Sequence, residues 1–285
     1  MRLGKGAPVT RWPLLSWSIV LLAAGYFLLP LYATFQFSLG MQRGELSFAA
    51  YHWLFGSDRF LDSLSYSAVA SLLAILAGTL LVVPTVYWVR LKLPQARGVV
   101  EFASLLPLII PPIVVVFGYM RLYGDGSWLP LTTSDGRLDL LLVIGYVVLA
   151  LPYMFRAVDT GMAAIDIVTL TEAAESLGAS RWRIVVSVIF PNVRSAIVAG
   201  AFLTLSISLG EFVMASLLSR PAFGPYLVQM GQDYAYQPAA LAILAFVITW
   251  VCMALMQFFA LRKPGQRVLP RLWAGRATKK EREVS

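Results

Sequence analysis

The chain has 285 residues, of which 59% are hydrophobic and only 13% are charged, and its formal net charge is +8. A soluble globular domain could not cover that much apolar surface, so the composition predicts an integral membrane protein. The apolar runs are continuous rather than alternating, which favours membrane-spanning helices over a β-barrel.

Six apolar segments have the length that a membrane-spanning helix requires. In chain order they are Leu14–Phe37, Leu64–Val89, Leu105–Leu122, Leu140–Phe155, Ile197–Leu218 and Ala239–Leu261. They define one membrane domain, residues 14–261, between a short N-terminal segment (1–13) and a basic, polar tail (262–285). The predicted fold class is an all-α polytopic membrane protein with six transmembrane helices.

The third predicted span contains three prolines, Pro107, Pro111 and Pro112. A proline removes a backbone amide from the helix, so this span is predicted to be kinked or partly unwound. Two interpretations stay open, of which a packing kink is favoured over a bend that lines a path for a solute.

The positive charges predict the orientation of the chain in the membrane. Segments 1–13, 90–104, 156–196 and 262–285 together hold 18 of the 23 lysines and arginines. By the positive-inside rule these segments are cytoplasmic, and both termini lie inside the cell. The net positive charge is therefore explained by the orientation of the chain in the membrane and by contact with anionic lipid, and it does not indicate nucleic-acid binding.

A polar segment, residues 166–191, lies on the predicted cytoplasmic side and has the signals of two short helices. Thr169 and Glu172 have the spacing of a capping box at the first helix start. Gly178 has the position of a helix-ending residue with positive φ, and Ser180 can cap the second helix. Pro191 is predicted to kink or end that helix. On these signals alone, the segment is equally well an ordinary cytoplasmic loop between membrane spans, with a helical hairpin in it.

The same segment resembles the EAA motif of the membrane-spanning subunits of bacterial ABC importers. The matching residues are Glu172-Ala173-Ala174, Gly178 and Val188-Ile-Phe190-Pro191. Val188 and Phe190 stand where the motif usually has isoleucine and leucine, and both changes keep the position apolar.

The resemblance implies the fold of a type I ABC importer permease and a role for this loop. In that family the loop forms a coupling helix that docks into a cleft of an ATPase subunit. The implied ATPase-coupling residues are Glu172, Ala173, Ala174, Gly178, Arg181 and Pro191. The small side chains among them would let the helix enter a groove.

Glu211 is the single ionisable residue placed well inside a predicted span. A carboxylate there is costly unless it faces the bundle interior or a wet cavity, so a functional role is the first hypothesis. Ser208 lies on the same helix face, and Gly210 would permit close approach of another backbone. These three residues are candidates for the translocation path or its gate, with a structural or gating role favoured for Glu211 over contact with solute.

The short chain, Gly210-Glu211-Phe212 and the sequence that starts at Arg220 resemble the spermidine/putrescine-type permease branch. The resemblance implies half of the translocation path for a small solute, expected to be a polyamine. Aminoethylphosphonate, thiamine, ferric iron or an opine are alternatives on the same machinery, and a self-sufficient secondary transporter is the rival class.

The implied partners are two ATPase subunits, a second permease subunit that is identical or homologous, a periplasmic binding protein and membrane lipid. The implied location is the bacterial inner membrane. No nucleic acid is expected as a partner.

No enzymatic site is predicted in this chain. A phosphate-binding sequence of the form GxxxxGK[ST] is absent, so ATP and Mg²⁺ are expected on a partner ATPase rather than here. The single histidine, His52, and the single cysteine, Cys252, provide neither a metal cluster nor an intrachain disulfide. We therefore expect no catalytic residue, no metal site and no cofactor.

Overall fold

The computed structural model describes residues 13–42 and 45–261, and within these residues every regular element is helical. The α-helices are α1 (Pro13–Ser38), α2 (Ala49–Phe55), α3 (Asp58–Lys92), α4 (Arg97–Ile109), α5 (Pro112–Tyr123), α6 (Asp135–Ala163), α7 (Ile167–Ser176), α8 (Arg181–Ile184), α9 (Phe190–Leu209), α10 (Val213–Leu217), α11 (Phe223–Asp233) and α12 (Gln237–Leu261). A 3₁₀ turn (Pro94–Ala96) leads into α4, and a π-helical segment (Val185–Ile189) joins α8 to α9. Residues 1–12 and the predicted tail, 262–285, lie outside the described residues.

Five helical stretches in the described part of the chain are long and apolar enough to cross a membrane, namely α1, α3, α6, the continuous run from α8 to α9, and α12. The bent pair of α4 and α5 is a sixth if it is counted as one crossing. The predicted all-helical membrane class is therefore confirmed. α3 has 35 residues and α6 has 29. Both exceed the roughly 20 residues that the hydrocarbon core needs.

The predicted third span, Leu105–Leu122, is not one helix. α4 ends at Ile109, α5 begins at Pro112, and the two helix axes differ by 96°. Pro111 and Pro112 offer no amide to the preceding turn, and the residue before a proline is pushed out of the helical region. Ile110 is accordingly extended, with φ −87° and ψ 116°.

The predicted fifth span, Ile197–Leu218, is not one continuous helix. Its helix continues unbroken from α8, stops at Leu209, and is followed by the separate short helix α10. An acidic residue in the break, Glu211, supplies the physical reason through the hydrogen bonds described below.

α3, α6 and α9 form the centre of the bundle and pack against one another through small and branched residues. A Cβ atom on Gly161 of α6 would collide with Ala196 of α9, and one on Gly200 of α9 would lie 2.5 Å from the sulfur of Met154 of α6. Small residues let helix backbones approach closely, which is how helices associate where lipid removes the hydrophobic driving force. The elements described next are attached to this central group.

Candidate functional site

The polar segment forms a helical hairpin of α7, a turn and α8, called here the α7–α8 hairpin (residues 166–184). Asp166 caps α7, because its carboxylate accepts hydrogen bonds from the Thr169 amide at 3.1 Å and the Thr169 hydroxyl at 2.7 Å. These two bonds hold the pKa of the Asp166 carboxyl below its ordinary value. The predicted capping box is therefore wrong, and Glu172 lies in the middle of α7. The earlier start adds a turn that buries Ile167 in the core.

The turn of the hairpin follows the prediction. Gly178 has φ +77°. Its amide donates to the Glu175 carbonyl at 2.9 Å, and the next amide, of Ala179, donates to the Ala174 carbonyl at 3.0 Å. This pair of bonds is the Schellman arrangement, which closes a helix on a left-handed residue. Ser180 caps α8, since its hydroxyl accepts from the Arg183 amide at 3.4 Å. Both predictions, for Gly178 and for Ser180, are confirmed.

Pro191 does not end the second helix. It lies at the start of α9, and the helix continues to Leu209. The π-helical segment ends two residues before it, at Ile189. A proline ring would clash with the carbonyl four residues earlier, and a wider π turn at that point relieves the clash.

One face of the hairpin is buried against the bundle. Ile167, Ala174 and Ile184 belong to the same apolar cluster as residues of α3, α6 and α9. The hydroxyls of Thr171 and Tyr87 lie 3.1 Å apart, and Thr171 already donates to the carbonyl of Ile167, so Tyr87 is the donor between them. The hairpin is thus tied to α3 by a buried hydrogen bond as well as by packing.

The opposite face of the hairpin is exposed and carries two large apolar side chains. Leu177 is 88% exposed and Trp182 is 60% exposed. Charged side chains surround them, including the exposed Glu175, Arg181 and Arg183. An apolar patch with a charged rim, in a polar segment between two long apolar helices, is typical of a protein docking surface.

The predicted coupling residues do not all lie on this exposed face. Those that do are Glu172, Ala173, Gly178 and Arg181. Ala174 points into the core, and Pro191 is ten residues further along the chain from Arg181, in α9. The motif does not include Leu177 and Trp182. Bulky apolar residues close to a helix-ending glycine in a polar loop could nevertheless have indicated the docking surface from the sequence.

An ionic cluster that the sequence did not suggest lies at the same end of the bundle. Asp159 of α6 accepts from Arg90 Nε at 2.6 Å and contacts an Arg97 nitrogen at 3.3 Å. Arg90 also donates to the Asp159 carbonyl at 3.0 Å. The cluster joins α3, the start of α4 and α6, and it neutralises Asp159 at a largely buried position.

Glu211 occupies the break between α9 and α10 and is only 9% exposed. One carboxylate oxygen accepts from the Met214 amide at 2.7 Å and the other accepts from the Ala215 amide at 3.0 Å. These amides belong to the first turn of α10 and have no partner within that helix. Both carboxylate oxygens are therefore engaged by the backbone of this chain.

Ser208 and Gly210, the other two candidates for the translocation path, do not contact the Glu211 carboxylate in this way. The Ser208 hydroxyl is buried and donates to the Thr204 carbonyl at 2.7 Å, within α9. Gly210 is exposed, and a Cβ atom there would meet only its own helix, at 3.6 Å. The close backbone approach predicted for Gly210 occurs instead at Gly224 of α11, where a Cβ atom would collide with the carbonyl oxygen of Glu211.

At the same end of the molecule as α10 and α11, Arg220 is held by two carboxylates of α6. One guanidinium nitrogen lies 2.6 Å from Asp135, and Nε lies 2.9 Å from Asp139. The Tyr66 hydroxyl of α3 donates to the same Asp139 oxygen at 2.5 Å. Ser219, directly before, has φ +54°, a left-handed conformation that is unusual outside glycine. These contacts fasten the turn after α10 to α3 and α6.

A groove runs between α4, α6 and α9, called here the α4–α6–α9 groove. It is an open cavity of about 720 Å³ whose walls are mostly apolar or small side chains. Leu105 of α4 forms part of one wall, next to the proline break. Its polar members are Tyr153, Arg156 and Thr160 of α6 and Ser195 of α9.

Comparison with known proteins identifies the family to which the chain belongs. The family model described as "Binding-protein-dependent transport system inner membrane component" matches residues 70–263. The molybdenum transport system permease protein ModB of Escherichia coli (strain K12) is 31% identical over 134 residues, which are 44% of this chain and 56% of that protein. The sulfate transport system permease protein CysW of Synechocystis sp. is 26% identical over 221 residues, which are 71% of this chain and 78% of that protein. The match thus spans little more than half the length of the molybdenum relative.

Solved structures show the same fold at low sequence identity. A bacterial alginate ABC transporter, in complex with an alginate pentasaccharide-bound periplasmic protein, matches with a TM-score of 0.69 and 16% identity, over 88% of this chain and 94% of that one. An inward-facing MetNI methionine ABC transporter matches with a TM-score of 0.55 and 19% identity, over 74% of this chain and 97% of that one. The fold is therefore that of the membrane chains of ABC importers.

Proposed function

Since the chain belongs to the family of binding-protein-dependent transport system inner membrane components, we propose that it forms half of the translocation path of an ATP-driven importer for a small oxyanion. The observation that carries the proposal is the α7–α8 hairpin, which lies within the matched residues and presents an exposed apolar tip on a base buried in the bundle. A second permease subunit would supply the other half of the path.

The coupling role follows from how the hairpin is attached. Its tip, with Leu177 and Trp182, would enter a cleft of an ATPase subunit that binds ATP and Mg²⁺, and its charged rim would orient the contact. Because Tyr87 and the shared apolar cluster fasten the base to α3, α6 and α9, a displacement of the tip would move these helices together. Glu172, Ala173, Gly178 and Arg181 would lie in that contact.

The proposed solute is a tetrahedral oxyanion of the molybdate or sulfate type. Relatives named for molybdenum and for sulfate support this class, and they direct the proposal away from the polyamine that the sequence resemblance implies. A periplasmic binding protein would deliver the oxyanion, and the words "binding-protein-dependent" in the family description support such a partner. A self-sufficient secondary transporter is disfavoured, because the family is one of subunits that depend on a binding protein.

The docking part of the proposal is tested by co-purification. The tagged chain, solubilised from its native membrane in mild detergent, should bring an ABC-type ATPase identified by mass spectrometry and by ATP hydrolysis. Replacing Leu177 and Trp182 together by serine should release that ATPase. The matched control replaces Trp128 and Leu129 by serine, since this exposed pair lies in the loop between α5 and α6. Equal ATPase recovery from both double variants would contradict the docking role.

The solute is tested by uptake. Cells that lack the chain should lose binding-protein-dependent uptake of labelled molybdate or sulfate, and restoring the chain should restore it. Labelled spermidine is measured in parallel. Restored uptake of spermidine alone would refute the oxyanion and would return the polyamine as the solute.

A further inference from the structure

We propose that the α4–α6–α9 groove is this subunit's wall of the translocation path, and that the guanidinium of Arg156 binds the anionic solute there. The inference rests on the proposed function, since it assumes an oxyanion as the solute. It adds the residues that contact the solute and the chemistry by which they select it.

The first support is a polar face on a membrane-spanning helix. Tyr153, Arg156 and Thr160 are spaced by three and four residues along α6, so they share one face, and all three are exposed. Arg156 lies seven residues before the end of α6, which is about 10 Å of helix. Arg156 directly follows the predicted span Leu140–Phe155, so this polar face lies at the predicted cytoplasmic end of α6, where it borders water or a neighbouring subunit rather than the bilayer centre.

The middle of another long apolar helix gives a contrast. The exposed residues in the middle of α3 are Leu72, Leu73, Leu76 and Leu80. These exposed residues are wholly apolar, whereas the exposed face of α6 is apolar at Leu140 and Ile144 and becomes polar from Tyr153 onward. The α6 face therefore borders water or a neighbouring subunit.

The second support is that Arg156 retains most of its hydrogen-bonding capacity. One carboxylate faces it, Glu101 of α4, at 3.9 Å, and both side chains of the pair are substantially exposed. Arg90 and Arg220 are instead held by carboxylates at 2.6 Å. A guanidinium has five N–H donors in a planar fork that matches two oxygens of an anion. Arg156 can therefore take up an oxyanion without first breaking a short ion pair.

The third support is the size of the opposing wall. Ala157 follows Arg156 on α6, and Ala199 lines the groove from α9. These small side chains leave room for a hydrated ion close to the guanidinium, and Ser195 adds a hydroxyl that can donate to it. Leu105 and Leu108 close the groove from α4, so the proline-broken span forms one wall of the path. This favours the bend as a path element over a simple packing kink.

The test of Arg156 is oxyanion uptake by the assembled transporter in proteoliposomes with its binding protein. A charge-assisted bidentate contact makes a loss of at least about tenfold in uptake at low solute concentration the expected result for Arg156→Gln. Arg156→Lys keeps the charge without the planar fork and should recover part of the rate. Arg194→Gln is the matched control, since Arg194 lies on α9 but does not line the groove, and its uptake should stay near wild type. Equal effects of Arg156→Gln and Arg194→Gln would overturn the assignment.

The test of the groove does not depend on the solute. In a Cys252→Ala background, which removes the single native cysteine, cysteine is placed at Thr160, at Ser195 or at Leu76, which lies in the apolar middle of α3 and does not line this groove. Membrane-impermeant methanethiosulfonate reagents, one anionic and one cationic, are then applied to the assembled complex from each side. We expect labelling at 160 and 195 but not at 76, with a preference for the anionic reagent that Arg156→Gln removes. Absence of labelling at 160 and 195 would show that a neighbouring helix fills the groove, and would overturn the proposal.

The two experiments separate this inference from the proposed function. If the wild-type complex imports no oxyanion but the groove still labels with anionic preference, the proposed function fails in its solute and the wet, anion-attracting groove stands. If oxyanion uptake is present and the groove does not label, the proposed function stands and this inference fails.

Discussion

Replacing Glu211 by glutamine tests whether this carboxylate holds the break between α9 and α10. Its two oxygens accept from the amides of Met214 at 2.7 Å and Ala215 at 3.0 Å. Glutamine has nearly the same shape but turns one acceptor into an NH₂ donor that faces another donor. One buried amide is then left unpaired, which costs about 1.5–3 kcal/mol.

The remaining bond also weakens, because the amide oxygen of glutamine carries no full charge. We therefore expect Glu211→Gln to lower the free energy of unfolding by about 2–4 kcal/mol in total. Glu175→Gln is the matched control, since Glu175 is an exposed residue of α7. Its effect should stay within about 0.5 kcal/mol.

The assay is thermal unfolding of the purified protein in detergent, followed by tryptophan fluorescence. A loss of this size should lower the unfolding temperature by roughly 5–15 °C. Transport by Glu211→Gln should fall only in proportion to the amount of folded complex. An unchanged unfolding temperature together with abolished transport would refute this reasoning, and would make Glu211 a residue of the solute path.

The other predictions are changes in the free energy of unfolding, measured in the same thermal assay. Gly224→Ala should cost about 1–3 kcal/mol, because the new Cβ would lie 2.8 Å from the carbonyl carbon of Glu211 and 3.1 Å from the Cα of Phe212. Gly231→Ala, in the same helix but with open space, should not destabilise, and equal effects would refute the clash. Ser219→Gly should stabilise by about 0.5–1 kcal/mol, since glycine adopts φ +54° without strain, and a loss would contradict this. Asp159→Asn should cost about 2–3 kcal/mol, because it leaves Arg90 and Arg97 without their carboxylate. Glu101→Gln should cost under about 1 kcal/mol, because the ion pair of Glu101 with Arg156 is long and exposed. Equal effects of these two would show that the Asp159 cluster does not stabilise the fold.

Interactions within one or two helical turns could be predicted from the sequence, provided the correct residue was chosen. Gly178 and Ser180 were predicted correctly, because a left-handed turn and an N-cap depend on residue type at one position. The cap of α7 was missed because Asp166 and Thr169 both offer a capping oxygen, and local spacing does not choose between them. The burial of Ile167 favours the earlier helix start at Asp166, and burial is a property of the packed bundle.

The break at Glu211 was missed for a related reason. Glu211 precedes Met214 by three residues, which is the same spacing by which Asp166 caps Thr169. In an unbroken apolar run this spacing carries no visible signal, so a continuous span is the simpler prediction. Only the packing of Gly224 against the backbone of Glu211 reveals that the chain turns there.

The sequence by itself determined that this is a helical membrane protein, where most of its spans lie and that its polar loop is a hairpin. These properties depend on hydropathy over about 20 residues and on capping chemistry within a turn, both of which are local along the chain. Only the tertiary structure decided that Ala174 is buried while Leu177 is exposed, that carboxylates hold Arg220 tightly but Arg156 only loosely, and that α4, α6 and α9 enclose a groove. These facts depend on which residues from distant segments meet, and that is set by helix packing rather than by any single stretch of sequence.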